Sequence, residues 1–199
     1  MTDRSAELRI EPVTADRWDD LRALFGPNGA YSNCWCAYFR QTGAEFSRGC
    51  AQAGEGNRTL LARLVEDGRV PGLLAYRDDR PVGWVSVAPR TEFGRVLRSP
   101  ITHLDPAERG DASIWSIVCL YVPRDERRRG VARALVAGAV RWAAQQGART
   151  VEAYPYDTKG ERRASAELYV GTVGLFASAG FGEAMRRMAS RPVMRLALR

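Results

Sequence analysis

Hydrophobic positions change period several times along the chain, and each change marks an element. Ile114 to Val122, IWSIVCLYV, is almost continuously apolar, which predicts a central strand buried on both faces and ended by Pro123. Beyond it, Val131, Leu135, Ala139, Trp142 and Ala143 share one side of a helix running from Val131 to Gln146, closed by Gly147. TVEAYPY, Thr150 to Tyr156, reads as a second buried strand. A polar insert from Asp157 to Ser165 follows, then a helix from Thr172 to Ala179 ending at Gly180. The tail, Phe181 to Leu198, reads as two strands joined near Arg191 and Pro192.

The first half is less regular. Leu8 to Val13 reads as a short strand, and Thr14 as the N-cap of a helix whose Trp18, Leu21, Leu24 and Phe25 face inward before Gly26-Pro27. Residues 29 to 56 are aromatic, Gly-rich and Cys-containing without steady periodicity. Asn57 is read as the cap of a second helix with Leu60, Leu61, Leu64 and Val65 inward. PGLLAYRDDRPVGWVSVAP is a hairpin pattern, two apolar runs about an Asp-Asp-Arg turn. Residues 91 to 113 read mostly as connection, with a short capped turn at Asp105-Pro106-Ala107-Glu108. No repeat or linker divides the chain, so the order implies one α/β domain with a mixed sheet over residues 1 to 199.

Composition narrows this picture only a little. With 199 residues, 45% hydrophobic and 27% charged, the chain can bury a core as a single globular domain. The net charge of +7 favours an anionic ligand, nucleic acid or a phosphorylated cofactor alike. The basic residues are dispersed and no nucleic-acid-reading motif accompanies them, so no nucleic-acid partner is expected. No stretch reaches the roughly 20 apolar residues of a membrane span, so no membrane partner is expected. The first residues carry early acids and no apolar core, which argues against a secretory leader there and for a cytoplasmic setting with free thiols.

The chemistry is densest between the central strand and the long helix. Arg124, Arg127, Arg128 and Arg129 crowd a short loop that ends in Gly130. A buried strand feeding a glycine-bearing loop into a helix gathers unpaired N–H groups and the positive helix end, a ready anion site. The spacing matches neither a nucleotide P-loop nor a dinucleotide fingerprint. Arg127-x-x-Gly130-x-Ala132 instead resembles the Q/R-x-x-G-x-G/A signature of the GCN5-related N-acetyltransferases (GNAT), which bind acyl-coenzyme A. GLFASAGF, Gly174 to Phe181, resembles that family's LYEKLGF segment, and WSIVCLYV, RRRGVARALV, GARTVEAYPYD and RPVMR look like a bacterial subgroup of mostly unassigned substrate.

The resemblance implies a GNAT-like sheet, mostly antiparallel and flanked by helices, with strands splayed at the coenzyme A site. Residues 114 to 147 would form the pyrophosphate-binding unit. Leu120, Tyr121 and Val122 would pair with the pantetheine, and Arg127, Arg128, Arg129, Gly130, Val131, Ala132 and Arg133 would surround the pyrophosphate, with Thr172 and Phe176 beside the cofactor. Gly130 and Ala132 are small, so a pyrophosphate can approach the backbone there.

Catalysis in the family calls for a base and an acid. The family's acidic tyrosine is replaced by Phe176, which cannot donate a proton. Tyr169 is the alternative acid, against an ordinary packing role. Ser116 stands where many relatives have a carboxylate. Glu152 is the candidate base, against a salt bridge to an arginine, and Asp157 and Glu92 are lesser candidates. Glu152 would share a pocket face with Tyr154 and Tyr156.

Residues 29 to 56 would form one side of the acceptor site, with Cys34, Trp35, Tyr38, Tyr154 and Asp157 contacting substrate. The thiols near Trp35 can be packing groups among aromatics or part of an aromatic pocket attractive to a flat or cationic amine. Cys34, Cys36, Cys50 and His103 could ligate zinc, but zinc sites normally bring two cysteine pairs, so no metal is expected. The expected activity is transfer of acetyl from acetyl-CoA to a small-molecule amine, by a monomer or homodimer. Peptide or protein N-acetylation and a catalytically weak acyl-CoA sensor remain open.

Overall fold

The computed structural model describes residues 8–102 and 105–198; His103 lies outside them. One seven-stranded sheet organises the chain. Its strands are β1 (Leu8–Pro12), β2 (Gly72–Arg77), β3 (Arg80–Pro89), β4 (Ile114–Tyr121), β5 (Thr150–Ala153), β6 (Gly182–Met188) and β7 (Arg191–Ala197). Their spatial order is β1-β2-β3-β4-β5-β7-β6, antiparallel throughout except for the β4–β5 pair. The mixed, mostly antiparallel sheet expected from the sequence is therefore present.

Helices cover both faces. α1 (Trp18–Phe25), α2 (Gly43–Ala51), α3 (Glu55–Glu66) and α4 (Gly94–Arg98) lie on one side, and α5 (Val131–Gln145) and α6 (Val173–Ala177) on the other. β4 explains the division. Its buried side chains alternate between a core containing Trp84, Phe93 and Cys119 and one containing Ile117, Leu135 and Phe176. Burial on both faces is what its continuous apolar run demanded.

α5 sits very close to β3. A Cβ built on Gly83 would lie 2.6 Å from Val131 Cγ1 and 3.0 Å from Leu135 Cδ1, so only glycine allows the helix to rest there. Gly83→Ala should push α5 outward and cost about 1–3 kcal/mol, the usual range for overpacking. Thermal unfolding would read this as a Tm lowered by about 2–4 °C per kcal/mol for a chain of this size.

Several local expectations are corrected. The helix assigned to an Asn57 cap begins at Glu55 after Gly54, which adopts φ +82°. Asn57 lies inside it, fully buried, donating from Nδ2 to the Asn33 carbonyl at 2.9 Å and to Cys50 Sγ at 3.4 Å. α2 was missed, although Thr42 and Glu45 form a reciprocal capping box, a signature visible in the sequence. α4 lies in a stretch read as connection. β5 stops at Ala153 rather than Tyr156, and the final turn falls at Ala189–Ser190, which places Arg191 and Pro192 inside β7.

Candidate active site

β4 and β5 pair only from Ile114↔Thr150 to Ile117↔Ala153. Beyond that point β4 continues to Tyr121 while β5 ends and Pro155 follows, so the strands part. The register of β4 on β3 also skips there: Ser86 faces Cys119 and Val87 faces Ile117, leaving Val118 as the extra residue of a bulge. Bulge and splay coincide at one residue, and such bulges commonly re-aim a backbone beside a binding site.

The loop after β4 is shaped by two left-handed residues. Arg128 adopts φ +62° and Gly130 φ +81°, bracketing Arg129. Alternation of this kind makes a concave nest of N–H groups that suits an anion. α5 begins directly after it with no side-chain cap and no acidic residue in its first turn, so its own first amides add to the nest. Arg128, Arg129 and Arg133 are exposed around this helix start. Cations there oppose the helix dipole, and an anionic ligand would relieve that.

The neighbouring charges hold the loop rather than the ligand. Glu126 is almost fully buried and takes Arg77 at 3.3 Å, Arg129 at 3.5 Å and Arg80 in close contact, tying the loop to the β2–β3 hairpin. Arg127 folds back, donating to the Val122 carbonyl at 3.0 Å and to Ser165 Oγ at 2.8 Å. Its side chain thus clamps the strand end and the polar insert. The acidic pair Asp125-Glu126, set between Arg124 and Arg127, is the sequence signal for this anchor.

These features fit a coenzyme A pyrophosphate: a backbone nest open to solvent, with no atom within 4 Å of a Cβ placed on Gly130, at the mouth of a splayed strand pair. Residues 32–172 match the acetyltransferase (GNAT) family. The chain belongs to the GNAT family. It is an acyltransferase whose acyl donor is acetyl-CoA. Solved GNAT structures share its fold. The PaiA N-acetyltransferase from Thermoplasma acidophilum, in complex with coenzyme A, aligns with TM-score 0.53 at 10% identity, over 96% of this chain and 99% of that one. A ribosomal-protein-alanine N-acetyltransferase from Brucella melitensis aligns with TM-score 0.52 at 19% identity, over 96% and 99%. A GCN5-related N-acetyltransferase from Kribbella flavida aligns with TM-score 0.53 at 18% identity, over 96% and 98%. None of the curated proteins matches the chain in sequence.

Within this GNAT frame the predicted side chains separate into groups. Leu120 and Tyr121 stand half-buried at the end of β4, paired to β3 on one edge and past the last β5 pair on the other, with half-buried Val122 just beyond. Val131 is buried under the helix start and Ala132 half-buried beside it. Thr172 caps α6, its hydroxyl accepting from the Leu175 amide at 3.3 Å. Phe176 is fully buried, edge-on to Phe181 at 5.2 Å, so it shapes the floor of the splay and offers no surface to a ligand.

Glu152 lies away from any open surface. Its carboxylate is fully buried, 3.0 Å from Arg90 NH1 and 2.7 Å from Arg195, and it accepts from the Tyr154 hydroxyl at 2.7 Å. Ser116 Oγ is 2.8 Å from the same hydroxyl, and Glu108 pairs with Arg195 at 3.2 Å. Burial, and after it the Glu152 charge, pushes the Tyr154 phenol well up. Glu152 and Tyr154 are therefore members of an internal ion cluster that braces β5 against β4 and β7, in place of the base and the pocket wall the sequence suggested. The alternation that put Glu152 and Tyr154 on one face was right; that face is covered.

The acceptor residues shift in the same way. Trp35 is buried, 6.2 Å from Trp18 and 5.5 Å from Phe25 by ring centroids, with its edge toward a groove of about 610 Å³ that α1 and the start of α3 line. That groove shares no residue with the β4–β5 splay. Cys34 is half-buried against the Gly29 carbonyl at 3.7 Å. Asp157 pairs with Arg186 of β6 at 2.8 Å and fastens the β6–β7 hairpin. Glu92, the lesser base candidate, is held by Arg40 and by Arg69 at 2.7 Å. Cys36 Sγ and Cys119 Sγ lie 3.0 Å apart, buried, which makes them packing thiols between the 29–56 segment and β4. No group of three or more metal-ligating side chains assembles among the described residues.

What remains beside the splay is aromatic. Tyr38, 37% exposed, meets Phe39 edge-on at 5.1 Å, and Phe39 lies 6.2 Å from Tyr169. Tyr169 stands on a single helical turn, Leu168–Val170, that packs against β4. Burial pushes its phenol above the ordinary value of 10; the charges of Arg191 and Arg95 pull the other way. The Phe39–Tyr169 contact leaves no trace in the sequence, because the backbone leading to Phe39 defeats periodicity: Ala30, Ser32, Asn33, Trp35 and Cys36 all adopt positive φ. No helix among the described residues is long and apolar enough to cross a membrane.

Proposed function

We propose that this acetyltransferase acts on the primary amine of a small molecule. The observation that carries this reading is the Phe39–Tyr169 contact. It brings the 29–56 segment against the Leu168–Val170 turn that packs on β4, which supports an acceptor site walled by aromatic rings and suited to a compact amine.

Acetyl-CoA supplies a thioester whose carbonyl carbon the amine attacks as the C–S bond breaks. The nest from Arg128 to Arg133 holds the pyrophosphate, and the free edge of β4 from Leu120 to Val122 aligns the pantetheine as an added strand. The bulged backbone at Val118 directs an N–H toward the developing oxyanion. Holding both reactants in register is the main contribution required of the protein. Tyr169 gives its proton to the departing sulfur, and the amine proton leaves to solvent. A phenol whose proton is held by burial stays in the donating form across the working pH range.

Free thiol release from acetyl-CoA across a panel of amino acids, amino-acid amides, amino sugars, polyamines and short peptides tests the class. Release with small amines and not with peptides is expected. The reverse would establish a peptide acetyltransferase, and silence despite tight coenzyme A binding would establish a sensor. Tyr169→Phe should lower kcat by roughly 10²-fold, the scale of one general acid. Because the shift is upward, wild-type kcat should hold to at least about pH 10 and decline only above it. An unchanged kcat in the variant would make Tyr169 a wall residue.

A further inference from the structure

Arginines that leave solvent normally bring a carboxylate with them, since an unpaired buried charge is costly. In this chain Arg17, Arg40, Arg58, Arg77, Arg90 and Arg195, all buried or half-buried, each pair with one. Among the described residues, Arg95 and Arg191 are the half-buried arginines for which no carboxylate partner is found. Both lie close enough to Tyr169 for their charges to act on its phenol. Arg95 of α4 lies over the Tyr38 ring, 3.9 Å from its centroid, with Nε on the Gln41 carbonyl at 3.1 Å. Arg191 of β7 donates to the Tyr154 carbonyl at 3.0 Å, one residue past the last β4–β5 pair. Its guanidinium stands 5.4 Å from the Tyr156 ring, and its Nε is buried without a partner.

We propose that the acceptor amine carries an oxyanion group, a carboxylate or a phosphate, which Arg191 and Arg95 receive while the amine faces the splay. This rests on the small-amine reading above and narrows it: polyamines and other polycations are rejected. Guanidinium forks suit planar or tetrahedral oxyanions, and partial burial strengthens the pairing. The aromatic rings beneath both arginines hold the guanidinium planes without neutralising them. Arg191 was within reach of the sequence, in RPVMR, but its reading as a turn residue hid that a strand carries it.

The test compares each amino acid with its own carboxamide, and O-phosphoethanolamine with ethanolamine, in the thiol-release assay. The charged member should win by at least about tenfold in kcat/KM for one of the two chemistries, which also tells carboxylate from phosphate. Arg191→Gln should erase that ratio and Arg191→Lys restore part of it. A purely structural Arg191 would instead lower Tm in the Gln variant and leave the ratio intact. Calorimetry of N-acetyl amino acids, their amides and N-acetyl-phosphoethanolamine, each with coenzyme A present, reads the same preference without turnover. If nothing turns over but the anionic products bind tighter, the small-amine reading fails while the oxyanion site stands. If acid and amide, and phosphate and alcohol, perform alike in both assays, the oxyanion site is overturned.

Discussion

Gly130→Glu should abolish coenzyme A binding while leaving the protein folded. Gly130 holds φ +81°, a conformation that strains any residue with a side chain by about 1–2 kcal/mol. Its Cβ would meet no atom within 4 Å, so the folded chain has room for the new side chain. That room is the mouth of the amide nest, where a glutamate carboxylate would take the pyrophosphate's place and repel it. Affinity measured by calorimetry should fall at least about 100-fold, which is about 2.7 kcal/mol, with a small decrease in Tm. Gly130→Ala, carrying the strain without the charge, should fall between. Unchanged affinity in the glutamate variant would remove the cofactor from this loop.

Glu152→Gln should be the most destabilising single change around the site. Arg90 is fully buried, and its partner carboxylate is the centre of the cluster formed with Arg195 and Tyr154. Removing one member of a buried ion pair leaves an uncompensated charge and typically costs about 3–5 kcal/mol. Tm should drop by about 10 °C, given roughly 2–4 °C per kcal/mol. Arg90→Met with Glu152→Met removes both buried charges, so it should recover much of that loss. Kinetics separate the structural role from a catalytic one. Assayed where it is folded, the glutamine variant should keep the wild-type acid limb in kcat/KM against pH. Loss of that limb would return Glu152 to the role of base.

The two predictions rest on residues of opposite legibility. Gly130 was readable because its requirement is local: a strand, a glycine and a helix follow one another, and the backbone between them has few ways to turn. The central strand, the α5 face and the β2–β3 hairpin were readable for the same reason, since period and turn chemistry act over neighbouring residues. Glu152 was half readable. Its isolation between Val151 and Ala153 showed that something buried had to answer it. Which arginine answered depended on Arg90 and Arg195, sixty-two and forty-three positions away.

The 29–56 segment shows the limit most clearly. Its left-handed residues leave no periodic trace, so Trp35 looked like a pocket residue and is core, while Phe39 and Tyr169 met only on folding. By itself, then, the sequence determined the order of the strands, the long helix after β4, the glycine turn between them and the family, all of which follow from short-range spacing and backbone freedom. Tertiary structure alone decided which charges are spent on one another and that Arg95 and Arg191, among the half-buried arginines described, are left without a carboxylate partner. Pairing between distant side chains is settled by the packing of whole strands and helices, and no local pattern records it.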